Sequence, residues 1–111
     1  MRQISIIACT AILLVAGCSV TTGVTLTMED GSETFQGTET GYADGAGTLE
    51  LISNRGLRCT GQWVFIDRPS YGQGTIQCTN GQSGPFEFVG TGRRGIGSGR
   101  LGDRPFTFTF G

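Results

Sequence analysis

The chain has 111 residues and a formal net charge of −1, and because it contains neither histidine nor lysine, its eight basic residues are all arginine. These absences exclude serine–histidine–aspartate and cysteine–histidine catalysis, histidine metal sites and lysine Schiff bases. The slightly acidic balance argues against nucleic-acid binding, and we predict no metal and no cofactor. Glycine is abundant, at 20 residues, and aromatic residues reach 9%, which favours a folded chain over a disordered one.

The N-terminal segment has the order of residues typical of a secretory signal peptide. Arg2 precedes an apolar run from Ile4 to Val15, which is too short to span a membrane as a helix. Small residues follow the run, and then a cysteine. This junction resembles the lipobox of bacterial lipoproteins, and it reads Leu14-Val15-Ala16-Gly17-Cys18.

The lipobox resemblance implies that the chain is cut before Cys18 and that this cysteine carries lipid, which anchors the protein to a membrane. We therefore expect residues 1–17 to be removed, 18–23 to form a lipidated tether, and 24–111 to form a single domain. The residue after the cysteine is Ser19, whereas an aspartate at this position would resemble an inner-membrane retention signal. The expected location is the outer membrane, facing the periplasm.

The four cysteines divide into three groups. Cys9 would leave with the signal peptide and Cys18 would be acylated, so Cys59 and Cys78 remain as a pair in an oxidising compartment. No C-x-x-C motif suggests a metal or redox site. We predict a Cys59–Cys78 disulfide, which would contribute about 3 kcal/mol by closing a loop of roughly 20 residues.

Three Gly-x-Gly triplets recur roughly every 25 residues, and each precedes a strand-like tetrad. A period of this length indicates repeated supersecondary units. Between the tetrads lie Asp-Gly and Asn-Gly pairs, which favour tight hairpin turns. The triplets are Gly45-Ala46-Gly47, Gly72-Gln73-Gly74 and Gly97-Ser98-Gly99.

Apolar and polar residues alternate within the units, as in strands with one buried face. The last strand is the clearest, with Phe106, Phe108 and Phe110 separated by threonines. We predict about eight short antiparallel strands, no helix in the mature chain, and Phe108 in the core. If residues 66–71 form a connecting loop, Trp63 lies opposite Gly74 and Cys59 lies opposite Cys78, close enough for the disulfide.

The middle of the chain resembles the MORN repeat, through Gly45-x-Gly47-Thr48-Leu49-x-Leu51, Gly61-Gln62-Trp63 and Tyr71-Gly72-x-Gly74-Thr75-Ile76. This resemblance implies an elongated, single-layer, twisted sheet without catalytic residues, acting as a scaffold or in protein and lipid contacts. The alternative is that the strands close into a small antiparallel β-barrel or sandwich, which would protect the sheet edges.

Charge is unevenly distributed along the chain. The acidic residues between 29 and 50 have no basic neighbour among them, whereas every arginine after Arg2 follows residue 51. A guanidinium pair suits phosphate groups, but such charges are also typical of a solvated surface. The candidate binding surface, expected to be exposed, consists of Trp63, Tyr71, Arg93 and Arg94.

The leading hypothesis for function is a lipid-anchored cell-envelope lipoprotein. Its non-catalytic β-repeat domain would act as a binding or scaffold module for an envelope protein or polymer. The alternatives are a small envelope enzyme that uses arginine–glutamate pairs, or a disulfide-braced inhibitor that presents the Asp67–Tyr71 segment. A purely structural surface protein is a third possibility.

Overall fold

Glycine-containing turns divide the chain into eight strands. In four of the predicted turns a glycine has positive φ, a conformation that side chains with a Cβ disfavour: Gly31, Gly56, Gly81 and Gly102. The prediction of an all-β chain with eight short strands is confirmed. The computed structural model describes residues 18–91 and 93–111, and its strands are β1 (Ser19–Met28), β2 (Thr34–Tyr42), β3 (Ala46–Ser53), β4 (Arg58–Asp67), β5 (Tyr71–Cys78), β6 (Ser83–Gly90), β7 (Gly95–Leu101) and β8 (Arg104–Phe110).

The sheet closes on itself. Each strand pairs antiparallel with the next, and β1 also pairs with β8, from Val24 opposite Phe110 to Met28 opposite Phe106. The predicted MORN-like open and elongated sheet is therefore wrong, and the alternative of a small antiparallel barrel is confirmed. Closure pairs the two terminal strands, apart from the first residues of β1, and encloses the apolar face of every strand.

The barrel begins closer to Cys18 than the sequence predicted. β1 starts at Ser19, which lies opposite Tyr42 on β2. The segment 18–23 is therefore not a free tether, because all of it after Cys18 belongs to β1. The predicted signal peptide, residues 1–17, lies outside the described residues. Within the part of the chain that the structure describes, no helix is long and apolar enough to cross a membrane.

Aromatic side chains inside the barrel lie against glycines of the neighbouring strands. Trp63 on β4 faces Gly47 on β3 and Gly74 on β5. A Cβ on Gly47 would lie 2.2 Å from Trp63 Cζ2, so the ring occupies the space that a side chain would need. The inward glycines of the repeat thus make room for aromatic rings. The same pairing joins Phe88 to Gly72 and Gly97, Phe86 to Gly74 and Gly99, Phe106 to Gly99, and Phe108 to Gly97.

The disulfide joins adjacent strands, as predicted. Cys59 on β4 lies opposite Cys78 on β5, and their sulfur atoms are 2.03 Å apart. The predicted pairing of Trp63 with Gly74 is also confirmed. The β4–β5 register shifts only beyond Phe65, close to the connecting turn.

The end of the barrel that holds the disulfide is filled, and we name it the closed end. Fully buried side chains pack there, among them Met28, Phe35, Leu101 and Phe106. Glu33 is also buried, and its Oε1 lies 3.5 Å from Arg104 Nη2. The opposite end, which we name the open end, carries Cys18 and the β2–β3, β4–β5 and β6–β7 turns.

Candidate functional site in the barrel mouth

A cavity of about 330 Å³ opens at the open end of the barrel. This volume lies in the lower part of the range of small-molecule sites, roughly 300–1,000 Å³. The wall is mainly apolar, and its side chains come from both sequence halves. The apolar and aromatic lining consists of Val20, Val24, Tyr42, Ala43, Trp63, Phe65, Pro69, Phe86, Phe88, Phe108 and Phe110, and the other lining residues are Cys18, Thr22, Glu39, Gly41, Arg68 and Arg93.

The cavity exists because small residues surround the open end. On five of the eight strands, the inward residue nearest this end is glycine: Gly41, Gly47, Gly72, Gly90 and Gly95. At the closed end, by contrast, one of the corresponding positions is glycine, Gly84, and the others include the large side chains of Met28, Phe35 and Leu101 and the two disulfide cysteines. The barrel therefore tapers in side-chain volume from the closed end to the open end, and the unfilled space is the cavity.

Three aromatic rings form a contiguous cluster in the cavity wall. The Trp63 ring lies 5.1 Å from that of Phe65 and 5.4 Å from that of Phe88, and the Phe65 and Phe88 rings are 5.8 Å apart, measured between centroids. All three pairs are edge-to-face, an arrangement that contributes beyond simple burial. The cluster therefore presents a pre-organised apolar surface to a ligand.

One carboxyl group lies within this apolar wall. Glu39 on β2 faces Thr22 on β1, and Thr22 Oγ1 donates a hydrogen bond to Glu39 Oε2. Burial raises the pKa of Glu39, and the hydrogen bond from Thr22 opposes that rise without cancelling it. The protonated form of Glu39 therefore persists to higher pH than that of an ordinary exposed glutamate. A protonated carboxyl group both donates and accepts hydrogen bonds.

Two arginines border the mouth of the cavity. Arg68, in the β4–β5 turn, donates from Nη2 to the carbonyl oxygen of Ala43 at 2.8 Å, and its guanidinium carbon lies 5.8 Å from the Phe65 ring centroid. This bond ties the β4–β5 turn to the β2–β3 turn. Arg93, in the β6–β7 turn, also lines the cavity. The 67–71 segment, considered as an inhibitor loop, is thus part of the mouth.

The predicted binding residues do not form one surface. Trp63 is only 8% exposed and points into the barrel, so the expectation that it is exposed is wrong. Tyr71 lies on the outer wall, where its hydroxyl donates to Glu87 Oε1 at 3.0 Å. Arg93 lines the cavity mouth, and Arg94 is exposed beside it. Trp63 and Arg93 therefore meet at one cavity, whereas Tyr71 faces the opposite side of the wall.

Sequence reasoning missed the inward carboxyl group. Glu39 was grouped with the acidic residues of a solvated face, but it stands four positions after Phe35 on β2 and therefore shares the buried face of that strand. The period-two pattern contained this information. Its hydrogen-bond partner follows from the β1–β2 register, which places Thr22 opposite Glu39.

The arrangement offers groups for binding. Aromatic rings accept an apolar body, the Glu39 carboxyl group offers one hydrogen bond, and two guanidinium groups favour an anionic group at the mouth. Among residues 18–91 and 93–111, no group of three or more cysteine, aspartate or glutamate side chains is placed to hold a metal ion. Cys18, at the edge of the cavity, is exposed.

Comparisons with known proteins identify the architecture and no family. No protein-family model matches the chain, and no curated protein matches it. Among solved structures, the chain is similar to a de novo designed fluorescence-activating β-barrel, with a TM-score of 0.62 and 14% sequence identity over 81% of this chain and 88% of that chain. At this identity the similarity concerns the fold alone: a small, closed, antiparallel β-barrel.

Proposed function

We propose that this chain is a lipid-anchored lipoprotein of the cell envelope whose non-catalytic barrel binds one small amphipathic molecule. The observation that carries the binding role is the aromatic-lined cavity at the open end. A ligand that fills such a cavity removes apolar surface from water, which stabilises the complex by about 25 cal/mol per Å². A cavity lined by side chains from many strands is also largely pre-formed, so binding requires little ordering.

The lining suggests how the molecule would be oriented. Its apolar part would contact the edge-to-face cluster of Trp63, Phe65 and Phe88. A hydroxyl group of the ligand would form a hydrogen bond with the Glu39 carboxyl group. A polar or anionic head would remain at the mouth, near Arg93. The ligand is thus a molecule with one apolar body and one polar end.

The lipoprotein part of the proposal is supported by sequence order and by position. The lipobox-like junction ends at Cys18, and Cys18 is exposed at the open end. Because Cys18 is exposed at the edge of the cavity, an acyl group there would not displace a buried core side chain. β1 starts at Ser19, directly after Cys18, so the lipid would hold the barrel close to the membrane surface.

Fluorescent-dye binding tests the cavity. N-phenyl-1-naphthylamine, an uncharged apolar dye, is titrated while the emission of Trp63, the single tryptophan, is recorded. Val20→Phe places a ring in the cavity mouth and should weaken dye binding by about tenfold or more, equivalent to about 1.4 kcal/mol. The matched control is Thr21→Phe, at the next position on β1, where the side chain is exposed on the outer wall.

The two variants separate a cavity ligand from surface adsorption. If the dye enters the cavity, Val20→Phe loses binding and Thr21→Phe keeps it. Equal dye affinity in both variants, or a dye signal that leaves Trp63 emission unchanged, would show that the cavity is not the binding site.

Metabolic labelling tests the anchor. Cells that express the full chain are grown with a radiolabelled fatty acid, the protein is isolated, and the radioactivity bound to it is measured. Cys18→Ser should abolish the label, whereas Cys9→Ser, a cysteine of the same N-terminal region, should retain it. Label that persists in Cys18→Ser would contradict lipidation at this position.

A further inference from the structure

The exposed apolar side chains of the barrel are concentrated at its open end. Among the described residues, six large hydrophobic side chains are exposed on the surface, and Ile52 is the single member of this set at the closed end. The other five lie within three residues of a strand end at the open end. We name these five the apolar rim: Tyr42, Val64, Ile66, Val89 and Ile96.

The apolar rim spans several strands. Tyr42 ends β2, and Val64 on β4 lies opposite Ala46, the first residue of β3. Val89 on β6 lies directly opposite Ile96 on β7, so these two side chains form a cross-strand apolar pair. Farther from the mouth, outward positions are mostly threonine, glutamine and glutamate. The apolar surface is therefore a band at the mouth and not a face of the whole barrel.

Arginines accompany the apolar rim. Arg68, Arg93 and Arg94 lie in turns at the open end, as does the carboxylate of Asp44, and Asp67 ends β4 beside them. Guanidinium groups pair with phosphate oxygens, and each basic side chain near an anionic membrane is worth about 1 kcal/mol. Aliphatic side chains beside arginines at one end of a domain match the interface of a bilayer, where apolar groups reach the acyl boundary and cations meet headgroups.

The N-terminal apolar segment joins the barrel at the same end. The carbonyl oxygen of Cys18 accepts a hydrogen bond from Ala43 N in the β2–β3 turn at 3.0 Å, so residue 18 lies among the turns of the open end. The apolar run from Ile4 to Val15 precedes it in the sequence. Whether that run is retained or replaced by lipid on Cys18, the membrane-associated part of the chain is attached beside the apolar rim.

We propose that the apolar rim is a membrane-docking surface, which seats the open end on a bilayer containing anionic lipid and turns the cavity toward it. Position and chemistry agree, because the exposed aliphatic side chains, the arginines and the chain attachment share one end. The ligand of the cavity would then enter from the bilayer and not from bulk water. The docking surface lies on the outside of the barrel and the cavity lies inside it, so docking is tested separately from ligand binding.

Vesicle sedimentation without any lipid anchor tests this proposal. Residues 19–111 contain all eight described strands and the β1–β8 pairs that close the barrel, and they lack Cys18. This segment is mixed with vesicles of phosphatidylcholine and phosphatidylglycerol. The double variant Ile66→Ser/Ile96→Ser, at side chains 58% and 59% exposed, should lower the partition coefficient by about tenfold.

The control uses the same substitution at the other end. Ile52 is 43% exposed at the closed end, so Ile52→Ser removes one exposed isoleucine there, against two in the double variant, and should leave vesicle binding unchanged. Equal losses in the two variants, or no loss in the double variant, would overturn the proposal. Binding that is equally strong to pure phosphatidylcholine vesicles would overturn the role of the arginines. If the protein does not bind vesicles but sediments as a dimer only when the apolar rim is intact, this surface would be assigned to a second copy of the chain.

A second measurement uses the full, membrane-bound protein and does not depend on the shortened chain. An environment-sensitive fluorophore is attached at Ile96→Cys or at Ile52→Cys in reconstituted vesicles. We expect a blue shift and quenching by a lipid-borne quencher at residue 96 alone. Equal signals at both positions would contradict docking. Because the rim variants leave the cavity lining in place, they should bind the dye normally, and loss of dye binding in Val20→Phe with docking intact separates the two proposals.

Discussion

Replacement of Gly47 by alanine tests the pairing of glycines with aromatic rings that organises the barrel interior. A Cβ at this position would lie 2.2 and 2.3 Å from the Trp63 ring and 2.5 Å from the carbonyl oxygen of Thr40. The ring cannot move away freely, because Phe65 and Phe88 pack against it. Overpacking of this kind costs about 1–3 kcal/mol, which exceeds the gain of about 0.4–1 kcal/mol from a less flexible unfolded chain.

The assay is thermal or denaturant-induced unfolding followed by circular dichroism. For a domain of this size, 1 kcal/mol corresponds to about 4–8 °C in Tm, so Gly47→Ala should melt several degrees below the wild type. The control is Gly23→Ala on β1, where a Cβ would have no atom within 4 Å. This variant should be neutral or slightly stabilised.

A double-mutant cycle shows whether the indole ring causes the loss. In a Trp63→Leu background the ring atoms nearest to the new Cβ are absent, so Gly47→Ala should cost less than it does in the wild type. If the two changes are strictly additive, the clash with Trp63 is not the cause. If Gly47→Ala is as stable as Gly23→Ala, the space argument for the repeat glycines is wrong.

Three further outcomes are expected from unfolding measurements. Because burial raises the pKa of Glu39, its ionisation destabilises the folded wild type as pH rises above the usual glutamate range. Glu39→Gln cannot ionise, so its free energy of unfolding relative to wild type should increase over that pH range and stay constant below it. A pH-independent difference would contradict this. Phe108→Asp places a charge in the core and should prevent folding, whereas Thr109→Asp, on the outer wall, should not, and an unchanged melt for Phe108→Asp would refute the core assignment. Cys59→Ala/Cys78→Ala should lower the free energy of unfolding by about 3 kcal/mol, and a variant as stable as wild type would show that the disulfide is dispensable.

Local patterns were sufficient to predict the strands and their connections. Alternation along β8 and the Asn-Gly and Asp-Gly pairs at the turns depend on residues that are neighbours in the chain. The same applies to the β4–β5 register, because a short turn determines which residues of a hairpin face each other. Cys59 opposite Cys78 follows from that register, and the structure contains this disulfide.

Trp63 illustrates where local reasoning was incomplete. It shares a strand face with Cys59, which indicates burial, yet its place on a MORN-like sheet favoured exposure. A single-layer sheet has no interior, so its aromatic residues have to face solvent or a partner. In the closed barrel the same strand face is enclosed, and Trp63 is buried against Phe65 and Phe88.

The sequence by itself determined the number of strands, four of their turns, the β4–β5 register and the disulfide, because each depends on residues close together in the chain. Only the tertiary structure decided that the sheet closes, since this requires Val24 and Phe110 to pair across almost the whole domain. Closure in turn created the site. Glu39 and Thr22 already face each other in the β1–β2 hairpin, but they line one cavity with Arg93 and the aromatic cluster only when the eight strands surround a common interior. Glycines leave the open end of that interior unfilled.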